Sequence, residues 1–288
     1  MMKLLKNQFS FQSVTARNKA SILVVSIWIL VIFSIFAVGL SRVCISQINV
    51  ARRIQASTLS FSGMLGLCNF LQWEMVKDLT EEYDTLHELA TLKEKELGSL
   101  NIKYTLIDEE SKLNINVVPQ KFIKNLPGMN DDIAVEITTS PLKPYDAKEE
   151  LLLLESVDEE TYSKMSPFIT VKSNRMININ TAAPEVFESL GFDEGLIDLI
   201  IAFREGPDGQ EATLDDGIFK STSDIMEDLE DYRGLSDTWR QQLGVVSGWF
   251  TVAGENFSVS AQTEVLGRYA FKYDIIMKTG KILRWREE

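Results

Sequence analysis

The hydrophobic pattern of the chain begins with an uncharged apolar segment from Ala20 to Leu40. At about 1.5 Å per helical residue this segment reaches roughly 30 Å, which is enough to cross the hydrocarbon core of a bilayer. Four basic residues and no acidic residue precede it (Lys3, Lys6, Arg17 and Lys19), and this bias favours a cytoplasmic N-terminus. The pattern therefore predicts a single-pass membrane protein whose remaining residues lie outside the cytoplasm.

The helical pattern continues beyond the predicted membrane segment without a turn signal. Apolar residues recur at spacings of three and four, which is typical of one face of a helix; they are Phe61, Met64, Leu65, Cys68, Leu71, Met75 and Leu79. We therefore expect one long helix from Ser21 to about Leu79.

Alternating apolar and polar residues indicate strands near both ends of the part that follows the helix. One predicted strand, 101–108, places Ile102, Tyr104 and Leu106 on one face. The others are 256–265, 269–277 and 281–286, the last two joined by a turn at Thr279-Gly280. We predict an α+β, pilin-like fold in which the long helix packs on an antiparallel sheet, formed by residues 41–116 and 244–288, with a helical domain inserted at 117–243.

A five-residue motif occurs twice at an offset of 64 residues, the separation of Asn114 and Asn178. Lys-Leu-Asn-Ile-Asn at 112–116 matches Met-Ile-Asn-Ile-Asn at 176–180. Each copy is followed by a helix, a Gly-containing break and a second helix, so both predict helix-hairpin-helix-like (SAM-like) units. We expect the four asparagines to form turns through their side chains, with Asn180 or Thr181 capping the next helix, and not to be catalytic; they are Asn114, Asn116, Asn178 and Asn180.

Charge bears on which partners this domain could bind. The chain has a formal net charge of −13, and such a surface repels nucleic-acid phosphates. Helix-hairpin-helix units also occur in periplasmic DNA-uptake proteins, which is the alternative function. The second hairpin places Asp193 and Glu194 where a phosphate would bind, so no nucleic acid is expected as a partner.

The segment 205–231 holds ten acidic residues and one lysine. Its Asp-Gly turns offer the oxygen donors that Ca²⁺ prefers, although their spacing does not match an EF-hand. A solvated acidic loop is the other interpretation. The candidate Ca²⁺ ligands are Asp208, Asp215 and Asp216.

The sequence gives no sign of an enzyme. It contains a single histidine, His87, and neither a phosphate-binding glycine motif nor a nucleophile motif nor a Cys/His cluster. We therefore expect no catalytic residue.

The N-terminal segment allows three interpretations. A secretory signal peptide would be cut after the small residues Ala37-Val38-Gly39, and a plain signal anchor would not be cut. A prepilin-type leader, residues 1–20, would be cut between Ala20 and Ser21, so that residues 21–40 remain as the membrane half of the helix.

The stretch RNKA-SILVVSIWILVIFSIFAVGLSR, at 17–42, resembles the N-terminus of type IV pilin-like proteins and is similar to the K-type minor pseudopilins of type II secretion. That family usually has Gly before the cut, where this chain has Ala20. Most pilins have Glu at the fifth position after the cut, where this chain has Val25, and K-type members also lack it. The stretches 108–129, 145–157 and 179–225 and the last strand are similar to the same family, in the same order.

The resemblance implies a minor pseudopilin at the tip of a type II secretion or related type IV pilus-like filament, which initiates assembly and supports secretion across the outer membrane. It implies an inner-membrane anchor with a periplasmic domain, processing and methylation by a prepilin peptidase, and Ca²⁺ in the helical domain. The implied partners are the I- and J-type minor pseudopilins, the major pseudopilin, the peptidase and the inner-membrane assembly platform.

Overall fold

A computed structural model describes residues 12–77, 83–89, 92–278 and 280–287. The chain divides into two compact units, which meet between Thr58 and Leu59. In the first unit the described residues form one continuous helix, and every side chain described from Ile22 to Val50 is exposed. The mean hydropathy of its most apolar window is 2.9, so this helix is long and apolar enough to cross a membrane.

The long helix α1 extends over Gln12–Lys77, so it begins earlier than the expected Ser21; Leu79 lies outside the described residues. Its residues after Thr58 belong to the second unit and pack on a sheet. A Cβ atom at Gly63 would lie 2.4 Å from Leu100 Cδ1, which shows how closely the helix approaches the sheet there. Ser60 Oγ hydrogen-bonds to the Tyr273 hydroxyl at 2.9 Å.

The buried face of α1 differs from the predicted stripe. Met64, Cys68 and Leu71 are buried as expected, and Leu67 is buried although the stripe did not include it. Phe61 and Leu65, which belong to the predicted apolar face, are 44% and 37% exposed. The buried face is therefore rotated slightly toward Leu67.

The sheet is antiparallel and has the strand order β1-β2-β7-β8-β9. Its strands are β1 (Lys93–Leu97), β2 (Leu100–Asp108), β7 (Asn256–Val265), β8 (Tyr269–Lys278) and β9 (Lys281–Glu287). Ile102, Tyr104 and Leu106 are buried on the face toward α1, as the alternation predicted. Strand β1 was not predicted.

The helical domain lies between β2 and β7 in the chain. Helix α2 (Leu86–Leu89) precedes the sheet in the chain. The helices of the helical domain are α3 (Gln120–Ile123), α4 (Asp131–Thr139), α5 (Glu159–Met165), α6 (Pro184–Ser189), α7 (Glu194–Arg204), α8 (Ile225–Arg233) and α9 (Asp237–Val246). Its short strands are β3 (Leu113–Asn114), β4 (Ile169–Thr170), β5 (Ile177–Asn178) and β6 (Phe250–Thr251). One continuous apolar core runs through this domain from Leu113 to Val252. The predicted α+β fold with a helical insertion is thus confirmed.

The second unit contains its own sheet and its own core, so we expect residues 41–288 to fold without the membrane segment. The prediction is a soluble protein that unfolds in one cooperative thermal transition, measured by circular dichroism in detergent-free buffer. Aggregated or unstructured protein under these conditions would contradict this architecture.

Candidate functional site

The two Asn-Ile-Asn segments occupy equivalent places in the helical domain. Strand β3 in the first copy pairs in parallel with β4, and strand β5 in the second copy pairs in parallel with β6. Each copy therefore closes on itself through a two-residue parallel pair, which brings the start and the end of the copy together.

The last asparagine of each motif binds both backbone groups of one distant residue. Asn116 Oδ1 accepts from the Tyr145 N–H at 2.8 Å, and its Nδ2 donates to the Tyr145 carbonyl at 2.9 Å. Asn180 Oδ1 accepts from the Phe219 N–H at 2.9 Å, and its Nδ2 donates to the Phe219 carbonyl at 2.9 Å. An amide side chain has the donor and acceptor that this pairing requires. We call Asn116 and Asn180 the amide clamps.

The first asparagine of each motif forms the turn. Asn114 Oδ1 accepts from the Asn116 N–H at 3.0 Å, and Asn178 Oδ1 accepts from the Asn180 N–H at 3.1 Å. Their Nδ2 groups differ, because Asn114 donates to the Ser173 carbonyl and Asn178 donates to the Asp108 carboxylate. The second copy is therefore bonded directly to the end of β2.

The prediction that Asn180 or Thr181 caps the helix after the second motif copy was wrong. Helix α6 begins at Pro184 with Ala183 as its N-cap, and no side chain caps it. Asn180 is occupied with Phe219, and Thr181 donates to Asp108 Oδ2 at 2.7 Å.

A second repeated stretch marks the end of each copy, and the sequence analysis did not identify it. Ser-Pro-Phe-Ile-Thr-Val at 166–171 corresponds to Ser-Gly-Trp-Phe-Thr-Val at 247–252. Each stretch forms a short 3-10 turn followed by the strand that pairs with the Asn-Ile-Asn segment. The shared Ser, aromatic and Thr-Val positions were the available signal.

Three consecutive buried carboxylates join the sheet to the helical domain. Asp108 is the last residue of β2, Glu109 and Glu110 follow it directly, and the three are only 2%, 4% and 0% exposed. Burying an ionised carboxylate is costly unless it is paired or fully hydrogen-bonded. We call these three residues the carboxylate joint.

Glu110 receives four hydrogen bonds from three residues. Its Oε1 accepts from Asn256 Nδ2 at 2.7 Å and from the Asn174 N–H at 3.0 Å. Its Oε2 accepts from the N–H groups of Glu255 and Asn256, both at 3.0 Å. Glu110 thus connects the loop before β5 to the first residues of β7.

Asp108 holds the second copy. Its Oδ2 accepts from Asn178 and Thr181, and its Oδ1 accepts from the Glu110 N–H at 2.8 Å. A Cβ atom at Gly254 would lie 2.5 Å from Asp108 Oδ1, so only glycine fits beside this carboxylate. Burial, and next the negative charge of Glu110, raise the pKa of Asp108 well above its ordinary range, although the hydrogen bond from Thr181 opposes the shift.

Glu109 is the one member of the joint with a cationic partner. Its Oε1 lies 2.8 Å from Lys112 Nζ and 2.5 Å from Ser258 Oγ, and its Oε2 accepts from Thr170 Oγ1. Burial raises its pKa, but the charge of Lys112 and the three hydrogen bonds outweigh burial, so the pKa of Glu109 is lowered.

The candidate calcium ligands form hydrogen bonds within their own loop. Asp208 accepts from the Gln210 N–H, and Asp215 accepts from the Thr213 hydroxyl. Both oxygens of Asp216 accept backbone N–H groups, from Ala212 and from Thr213.

A buried arginine lies beneath this acidic loop. Arg204 is 3% exposed, donates to the Ala182 carbonyl at 2.5 Å and lies 2.6 Å from Glu211 Oε1. Among the described residues no group of three or more His, Cys, Asp or Glu side chains is placed to hold a metal ion. Calcium binding therefore stays a prediction from the resemblance.

The remaining residues that the sequence singled out lie in α1 and at the two hairpins. Ala20 and Ser21 lie within α1, and cleavage between them stays a prediction. Gly128 and Gly191 have positive φ values of 78° and 91° at the hairpins. The Asp193 side chain caps α7 and also accepts from Trp239 Nε1 at 2.9 Å, so a carboxylate already occupies the place where a helix-hairpin-helix unit would hold phosphate.

Replacing Glu110 with Ala removes the acceptor of four donors, of which both groups of Asn256 are buried and the N–H groups of Asn174 and Glu255 are partly buried. Each donor left without a partner costs about 1–3 kcal/mol, so we expect the free energy of unfolding to fall by about 3 kcal/mol or more, measured by urea denaturation of residues 41–288. The matched control is Glu160→Ala, an exposed carboxylate paired with Lys164, which we expect to cost about 0.5 kcal/mol. Equal effects of the two substitutions would contradict the role of the joint.

The raised pKa of Asp108 makes stability depend on pH. Between its ordinary value and its folded value the native state binds more protons than the unfolded state, so stability falls as pH rises through this window. We expect Asp108→Asn to flatten that part of the profile, measured by urea denaturation of residues 41–288 from pH 4 to 9. Parallel profiles for the two proteins would show that Asp108 titrates normally.

Comparison with known proteins supports the fold. No family model matches the chain, and no curated protein matches it by sequence. A chain of the GspK-GspI-GspJ complex from the enterotoxigenic Escherichia coli Type 2 Secretion System matches with a TM-score of 0.55 and 13% sequence identity, over 81% of this chain and 98% of that chain. At this identity the likeness establishes the fold: this chain has the architecture of a chain of that complex.

Proposed function

We propose that this protein is a K-type minor pseudopilin of a type II secretion system or a related pilus-like filament. The observation that carries the proposal is the shared fold, which extends over nearly the whole of the matched secretion-system chain. The apolar N-terminal helix supports it as well, because pilin-class subunits are held in the inner membrane by such a helix until they are assembled.

A position at the tip of the filament is supported by two features. Val25 stands where most pilins have the glutamate that is thought to pair with the N-terminus of the neighbouring subunit already in the filament, and a first subunit has no such neighbour. The helical domain is bulky and is fixed to the sheet by the carboxylate joint, so another subunit could not stack above it. In this role the protein starts assembly and presents the helical domain toward cargo or the outer-membrane gate.

The proposed partners follow from the same role. They are the I- and J-type minor pseudopilins, the major pseudopilin, the prepilin peptidase and the inner-membrane assembly platform. The matched structure is itself a complex of three secretion-system proteins, GspK, GspI and GspJ. The role requires no catalysis by this chain, since binding and shape are enough for it.

Cells that contain a prepilin peptidase should convert the full chain to a form that begins with methylated Ser21. The measurement is mass spectrometry of the N-terminal peptide from isolated membranes, with cells lacking the peptidase as the control. The variant Ala20→Gly, which restores the residue usual in the family, should be cut at least as completely.

The proposal fails if the mature protein begins at Leu40, which would indicate a cleaved signal peptide. An intact Met1 in the presence of the peptidase would indicate a plain anchor and would contradict it equally. A second requirement is that I- and J-type pseudopilins from the same cells copurify with this chain.

A further inference from the structure

A cleft of about 250 Å³ lies between the sheet and the helical domain, on the face of the sheet opposite α1. Its floor includes Ile107, Ser258 and Ile276, which are neighbours across β2, β7 and β8. Residues 148–149 and the strand β4 form the opposite wall. The cleft therefore opens along the outer face of the sheet toward the edge strand β9.

The charge of this cleft is opposite to that of the whole chain. Four basic side chains line it, against three acidic ones, in a chain of net charge −13. The basic residues are Lys112, Lys148, Arg284 and Arg286, and the acidic ones are Glu109, Glu149 and Asp274. Burial and the charge of Lys112 lower the pKa of Lys148, as expected where positive charges are concentrated.

The two arginines of the cleft already bind a carboxylate. Glu149 Oε2 lies 3.0 Å from Arg284 Nη2, and Glu149 Oε1 lies 3.3 Å from Arg286 Nη1. Arg284 and Arg286 stand at alternate positions of β9, so both face the cleft. Trp285 between them faces α1, where its ring lies 5.1 Å from the ring of Phe61.

Strand β9 is the last strand of the sheet, and no described strand pairs with its outer edge. An edge strand offers a row of backbone N–H and C=O groups to an added strand. Side chains of an added strand alternate between the two faces, so every second one would lie beside the arginines of the cleft.

We propose that the edge of β9 and the cleft bind an extended segment of a partner protein that has acidic residues at alternate positions. The backbone of the segment adds a strand to β9, and its carboxylates lie beside Arg284 and Arg286. This surface is separate from the membrane helix and from the amide clamps, so it goes beyond the proposed function.

A partner protein fits this surface better than a second copy of the chain. Strand β1 of a second copy also has alternating acids, Glu94 and Glu96, on the outer face. Glu94, however, already pairs with Lys103 at 3.0 Å. A second copy would therefore have to break this ion pair in addition to the pairs of Arg284 and Arg286 with Glu149, whereas an added acidic segment competes only with Glu149.

The test uses the full chain in detergent micelles and a fluorescent peptide of alternating threonine and glutamate, with binding measured by anisotropy. A peptide of the same composition with its glutamates in one block is the control ligand. We expect the alternating peptide to bind more tightly. Each of Arg284→Ala and Arg286→Ala should weaken binding about threefold, and Arg268→Ala, an exposed arginine in the turn before β8, should leave it unchanged.

Charge reversal keeps the test decisive if an alanine variant is unstable. The double variant Arg284→Glu/Arg286→Glu should lose the glutamate peptide and gain an alternating threonine-lysine peptide. Equal binding of the block and alternating peptides would overturn the proposal, since it would mean unspecific attraction. Displacement of the peptide by anionic lipid nanodiscs would overturn the proposal in favour of a lipid surface. If no peptide binds but the chain self-associates, and Glu94→Gln/Glu96→Gln abolishes this self-association, the surface binds a second copy and the proposal is also overturned.

Discussion

The fold depends on burying three consecutive carboxylates where the sheet meets the helical domain. In a strand, consecutive side chains point to opposite faces, and the 3-10 turn that begins at Glu109 then sends the third in another direction. Asp108 thus reaches the second motif copy, Glu109 reaches β4 and β7, and Glu110 reaches the loops before β5 and β7. A half-satisfied buried network is worse than none, so these contacts have to form together, and they make the sheet and the helical domain one mechanical body.

Both copies of the duplicated motif hold a distant backbone segment, and only the second copy also binds the carboxylate joint. In both copies an amide clamp hydrogen-bonds to the backbone N–H and C=O of one distant residue, as a neighbouring strand would. These residues are Tyr145 and Phe219. In the second copy alone, Asn178 also bonds to Asp108, where Asn114 bonds to a backbone carbonyl. The two copies therefore have the same internal hydrogen bonds at the clamp, but only the second contacts the sheet in this way, because only the second is next to the end of β2.

Much of the fold could be predicted from periodicity, while the joint could not. The alternation of strands β7 and β8 and of Ile102, Tyr104 and Leu106 corresponds to burial on one face, which the sequence displays directly. Strand β1, Lys-Glu-Lys-Glu-Leu, was missed because an edge strand with charges on both faces has no apolar alternation. The three acids of the joint look like any surface run of a protein of this charge. Their burial is visible only once the donors at Asn174, Asn256 and Thr181, which are far away in the chain, are placed around them.

For the filament subunit proposed above, a rigid joint has a mechanical consequence. If the helical domain could rotate relative to the sheet, a force on the domain would not be transmitted to the sheet. The surface of the domain would then have no fixed orientation. Polar contacts on the surface would not prevent this, because each exchanges easily with water. Buried carboxylates do prevent it, since opening the joint exposes donors and acceptors that are all satisfied only in one arrangement. The same joint also borders the cleft, because Glu109 lines it and hydrogen-bonds both to Ser258 on the sheet and to Thr170 on the opposite wall.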